Sequence, residues 1–97
     1  MLTEAQRRHL RRLGHERKPI VLAGKGGVDA ALTAELDRAL TDHELVKVRA
    51  RAADRTERDA VLDALARATR AEIVQRIGHV ALFYRAHPDK SRILLPG

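Results

Sequence analysis

Between residues 18 and 30 the chain reads KPIVLAGKGGVDA, and this stretch constrains the fold more than any other. Lys18-Pro19 ends any helix before it, because proline disfavours the helical region at the preceding residue and brings no N–H of its own. Ile20–Ala23 is a short apolar run bounded by turn residues, the pattern of a buried strand. Gly24, Lys25, Gly26 and Gly27 form a turn. Beyond it Val28, Leu32, Leu36 and Leu40 recur every four residues with Ala31 and Ala39 beside them, an amphipathic helix ending near Asp42 or His43. A strand leading into a helix asks for a second strand parallel to the first, reached by a right-handed crossover. That strand is LVKVRAR, residues 45–51, in which Val46, Val48 and Ala50 face one way and Lys47, Arg49 and Arg51 the other.

The remaining elements follow the same logic. Thr3 and Gln6 have capping-box spacing and open a first helix. Leu10 and Leu13 form its apolar side, Arg7, Arg8, Arg11 and Arg12 fall mostly opposite, and Gly14 offers a left-handed stop. Asp54 and Glu57 open a third helix with Val61, Leu62, Leu65 and Ala68 as its stripe. EIVQRI reads as a third strand, Gly78-His79 as a hairpin turn and VALFYR as a fourth strand. In the tail from Ala86 to Gly97, RILLP is expected to add a final edge segment. The order α-β-α-β-α-β-β predicts one α/β domain over residues 1–97 (an α+β two-layer arrangement) with a four-stranded mixed sheet.

Composition limits the functions open to this fold. There is no cysteine, so disulfides, thiolate metal sites and a cysteine nucleophile are excluded. The five histidines lack metal-ligand spacing, and no paired carboxylates or serine-based triad are evident, so neither a metal, a cofactor nor catalysis is expected. No apolar run approaches the roughly 20 residues of a membrane span, and no signal peptide is visible, so a cytoplasmic protein is expected. Phe83 and Tyr84 are the only aromatics. One of the two must face the core, which leaves no base-stacking platform.

The net charge is +6, and it is unevenly spread. Residues 7–18 carry +5, residues 29–44 carry −4 through Asp29, Glu35, Asp37, Asp42 and Glu44, and residues 47–58 carry +3. Such basic patches favour a polyanion partner, since each neutralised phosphate releases counterions.

The glycine turn then has to be assigned. A mononucleotide loop needs G-x-x-x-x-G-K-[ST], but here Lys25 precedes the glycine pair and no Ser or Thr follows. A dinucleotide fingerprint needs a small residue where Asp29 stands and an acid at the end of the second strand, where Lys47 to Arg51 stand. What remains is G-x-x-G, Gly24 to Gly27, with Lys25 inside and a helix start behind it. That is either a strand-to-helix turn that uses glycine for geometry or the backbone clamp of an RNA-binding module.

The loop has further company in Lys18-Pro19, Gly24-Lys25-Gly26-Gly27-Val28, Glu44-Leu45-Val46-Lys47-Val48 and Gly78 with Leu82-Phe83-Tyr84-Arg85. In combination, from Thr3 to Pro96, these closely resemble the CRM domain (chloroplast RNA splicing and ribosome maturation), in particular its small stand-alone bacterial members of the YhbY type. The departure is Asp29, where the family commonly has Thr; Asp can still cap the helix, but its charge opposes a phosphate placed over that helix end. The resemblance implies a fold similar to the C-terminal domain of translation initiation factor three with an added N-terminal helix. It also implies a monomer that binds structured ribosomal RNA of the large-subunit precursor and assists ribosome assembly. The residues expected to hold RNA are Gly24, Lys25, Gly26 and Gly27, flanked by Lys18 and the helix-one arginines Arg7, Arg8, Arg11 and Arg12, with Arg49 and Arg51 on the sheet. Two alternatives stay open: an adaptor whose acidic second helix docks a ribosomal protein, and an intron-splicing module of the kind found in plant relatives.

Overall fold

The computed structural model of the protein describes residues 2–24 and 27–97, so Lys25 and Gly26 of the glycine turn lie outside the described residues. The first helix, α1 (Glu4–Gly14), starts at the predicted capping box: the Gln6 N–H donates to the Thr3 hydroxyl at 3.1 Å, and the Thr3 N–H to Gln6 Oε1 at 2.9 Å. Strand β1 (Pro19–Ala23) leads into α2 (Ala30–His43), then β2 (Leu45–Ala50), α3 (Arg55–Thr69), β3 (Glu72–Ile77) and β4 (Val80–Tyr84). Asp29 caps α2 and Asp54 caps α3 through carboxylates that accept from Leu32 N–H at 2.7 Å and Glu57 N–H at 2.8 Å.

The four strands form one mixed sheet in the order β1-β2-β4-β3. β1 and β2 are parallel, as the crossover demands. β4 lies antiparallel between β2 and β3, so the second crossover skips one position and leaves a gap that the hairpin fills.

Alternation along β2 and β4 builds two cores. Val46, Val48, Ala81 and Phe83 face α2 and α3, where Leu32, Leu36, Leu40, Leu62 and Leu65 complete an aliphatic cluster around one phenyl ring. Leu45, Leu82 and Tyr84 face the other way and meet Leu10 of α1, with Leu2, Ile93 and Leu95 packed against them. The helices thus divide between two faces, and α1 with the C-terminal segment makes a third layer. Both aromatics are buried, one in each core.

Two expectations are corrected here. The segment containing RILLP is not an edge strand: Ile93 and Leu95 lie over the sheet face, and Pro96 accepts from the Gln6 side chain at 3.0 Å. Gly14 does not stop α1 by a left-handed turn, since the residue after it, His15, is right-handed at φ −55°. Its reason is contact: a Cβ there would stand 2.5 Å from Leu82 Cδ2. Only a bare backbone lets α1 lie this close to β4.

Candidate nucleic-acid interface

β1 and β2 run in the same direction, so the loops that follow them open at the same end of the sheet. Two hydrogen bonds close that end: Arg51 N–H donates to the Ala23 carbonyl, and Ala50 N–H to the His79 carbonyl, both at 2.8 Å. The end of β1 that leads into Gly24, the loop after β2 and the β3–β4 turn therefore meet, on the side of the sheet end where α2 and α3 begin.

The two described glycines of the turn have different reasons. Gly27 has φ +79°, a conformation that side chains rarely adopt. Gly24 has no positive φ, and a Cβ added to it would meet nothing within 4 Å. Among the described residues neither a positive φ nor a close neighbour asks for glycine at 24, and its backbone is exposed.

Cations surround this end. Arg49, Arg51 and Arg55 are exposed, and none makes a side-chain hydrogen bond or ion pair among the described residues. Arg49 and Arg51 line a hollow of about 230 Å³ with His79. Arg58 and Arg76 stand nearby but are engaged by Asp59, and Arg76 also by Asp63. Arg55 and His79 were not expected from the sequence; the only signal for Arg55 is its place in the basic run 47–58. The helix ends contribute little to anion binding, because the Asp29 and Asp54 carboxylates already occupy them.

Other expected residues lie elsewhere. Lys18 is at the opposite end of β1 from Gly24, roughly 20 Å away by strand rise. There it lines a groove of about 290 Å³ with Arg17, Ile20, His43 and Lys47. Arg7 is part of the fold: it donates to Glu72 Oε2 at 2.7 Å and to the Ile73 carbonyl at 3.2 Å, which ties α1 to the start of β3, far from the glycine turn. Arg11 pairs with Glu4 at 3.2 Å. Arg8 and Arg12 are exposed on the outer side of α1 and make no such contact among the described residues.

A second polar cluster went unread in the sequence. Glu44 is 2% exposed, with φ +63° at the end of α2. Its Oε1 accepts from His87 N–H at 3.0 Å and the Ser91 hydroxyl at 2.8 Å; its Oε2 accepts from Arg92 N–H at 2.7 Å and Ile93 N–H at 3.2 Å. Burial alone would raise its pKa, but these hydrogen bonds outweigh burial and hold the carboxyl below its usual value. Burial and the Glu44 charge together push the Tyr84 hydroxyl up. Arg85 is likewise structural, pairing with Asp37 at 2.6 Å and donating to the Thr69 carbonyl at 2.7 Å. Among the described residues no three acidic or histidine side chains gather as a metal site would require, and no helix is long and apolar enough to cross a membrane.

Comparison with known proteins bears on this arrangement. The family described as the CRS1 / YhbY (CRM) domain matches residues 2–85. A Pseudomonas aeruginosa protein named as a probable RNA-binding protein is 41% identical over 96% of this chain and 89% of its own length. A Haemophilus influenzae RNA-binding protein is 37% identical over 98% of this chain and 95% of its own. The solution structure of a candidate RNA-binding protein from Staphylococcus aureus superposes with a TM-score of 0.84 at 36% identity, covering 99% of this chain and all of that one.

Proposed function

Because the chain belongs to the CRS1 / YhbY (CRM) domain family, we propose that it is an RNA-binding protein whose glycine turn and neighbouring arginines grip the RNA backbone. The observation that carries this reading is the meeting of exposed Gly24 with Arg49, Arg51 and Arg55, unpaired among the described residues, at one end of the sheet. Phosphate contact of this kind orders affinity by charge and shape, without base stacking. The names of the relatives from P. aeruginosa and H. influenzae agree with it.

The RNA we propose is structured ribosomal RNA of the large-subunit precursor, bound during assembly by a cytoplasmic monomer. This part rests on the likeness to single-copy bacterial members. The adaptor alternative loses ground, because Asp29 is a cap, Asp37 holds Arg85 and Glu44 is buried, which leaves Glu35 and Asp42 as the acids of the acidic run whose side chains have no partner among the described residues.

Gly24→Asp tests the reading. The new side chain has room, so circular dichroism and the thermal midpoint stay unchanged while affinity for ribosomal RNA fragments falls at least tenfold. Wild-type affinity should drop with salt at a log–log slope of roughly −0.7 to −0.9 per phosphate contacted. A flat salt dependence would sink the proposal, and so would full binding by the variant.

A further inference from the structure

α1 and the C-terminal segment cover only part of their sheet face. Beneath them lie Leu45, Leu82, Val74 and Tyr84. The next row toward the glycine turn is Leu22–Arg49–Val80–Ile77, read across β1, β2, β4 and β3 from the strand register. Leu22 is 48% exposed and Ile77 65%, while Arg49 stands between Leu22 and Val80. Lys47 precedes Arg49 on the same face, and Arg51 follows at the strand end. Lys18 and Lys47 share the groove at the far end of β1. None of these four cations has a side-chain partner among the described residues, whereas Arg7, Arg11, Arg17, Arg76 and Arg85 are all engaged by the fold.

From this we infer that the uncovered half-face carries an extended, unpaired RNA strand running from the glycine turn along β2 toward Lys18. The inference rests on the RNA-binding reading above and adds the form and path of the ligand. Successive cations on β2 are about 6.7 Å apart, two residues of strand rise, comparable to the step between phosphates of an extended strand. The face also has the wrong shape for a duplex. α1 stands beside it as a layer about 10–12 Å thick, the diameter of a helix with its side chains, which hinders a rod-like duplex from reaching the floor. A single strand reaches the floor. Leu22, Val80 and Ile77 then offer aliphatic surface to riboses and base faces, a sequence-tolerant contact, and the 230 Å³ hollow between Arg49, Arg51 and His79 lies where the strand would meet the turn.

The experiment compares a short oligouridylate with a blunt RNA duplex of equal length, using the full chain, the Lys47→Ala variant and Leu22→Glu, which puts a carboxylate beside Arg49. Thermal unfolding checks each variant for folding. In Lys47→Ala the salt slope for oligouridylate should fall by about 0.7, the value for one lost single-strand phosphate contact, while duplex binding stays as in the wild type. Leu22→Glu should weaken oligouridylate binding several-fold. Equal losses for duplex and single strand, or no loss for either, would overturn the proposal. If the variants bind oligouridylate normally but lose binding to polyglutamate, the face belongs to an acidic protein partner instead. Failure of the wild type to bind any RNA would refute the underlying RNA-binding reading, whereas intact RNA binding by the stripe variants would refute this inference alone.

Discussion

Glu44→Gln removes one charge and one acceptor from a carboxylate that collects four hydrogen bonds from the C-terminal segment. Either oxygen serves two donors, and the glutamine amide nitrogen can only donate, so two donors lose their acceptor whichever way the amide is turned. If the segment stayed docked, two unsatisfied groups would cost about 2–6 kcal/mol at about 1–3 each. The segment has a cheaper course, which is to leave. Its N–H groups then hydrate, at the expense of uncovering Ile93 and Leu95, worth at most about 1.5–3 kcal/mol apiece and here only partly buried. The expected loss is therefore about 2–3 kcal/mol, a midpoint lower by about 10 °C or more in a chain of this size. Chemical denaturation measures that loss, and hydrogen exchange locates it at the amides of Arg92 and Ile93.

The pH dependence follows from the direction of the Glu44 shift. A carboxyl whose pKa is lower in the folded than in the unfolded chain stabilises the fold above the unfolded value, here 4.5, and loses that contribution as pH falls through the folded value. The wild-type segment should loosen in acid below about 4.5, and the Gln variant should lack this transition. An unchanged midpoint with Arg92 and Ile93 amides as protected as in the wild type would refute the assignment of Glu44 as the anchor.

Two further substitutions separate structure from binding. Gly14→Ala should cost about 1–3 kcal/mol by overpacking, because the added methyl meets the Leu82 side chain at 2.5 and 2.8 Å; a midpoint equal to wild type would mean α1 can lift off β4 freely. Asp29→Asn keeps the cap on α2 and removes the negative charge beside the glycine turn, so stability should stay within about 0.5 kcal/mol while RNA affinity rises; weaker RNA binding in filter or fluorescence titrations would contradict the picture of Asp29 as a repulsive neighbour.

What the sequence made legible was what neighbours in sequence decide. The box at Thr3–Gln6, the cap of Asp54 on the Glu57 N–H, the stripe of Leu32, Leu36 and Leu40, and the alternation of Val46, Val48 and Ala50 are all local patterns, and each folds as read. The misreadings concern residues whose partners are distant. Arg7 looks like a member of a solvated basic face, but its acceptors are on β3, 65 and 66 residues away. Gly14 looks like a helix stop, and only the approach of Leu82 shows why it is glycine. Glu44 reads as one more acid of an acidic run, and nothing nearby in sequence foretells that backbone groups 43 to 49 residues later converge on it. The candidate site is intermediate. The glycine turn and the Arg49–Arg51 pair were visible, while Arg55 and His79 join them only through the way two loops and a hairpin meet.

The place of β4 has a consequence for how the chain acquires its structure. The last strand in sequence is an interior strand of the sheet, between β2 and β3. Ala81 and Phe83 complete one core, Leu82 and Tyr84 the other. A nascent chain that has emerged only as far as Ile77 lacks Leu82 and Tyr84 under Leu10 and the strand that pairs with β3, so neither core can close. The domain therefore has no N-terminal half able to fold ahead of the rest, and its assembly waits for contacts of long sequence separation. A chain stopped before Val80 would present open edges on both β2 and β3, the condition under which strands pair with other molecules.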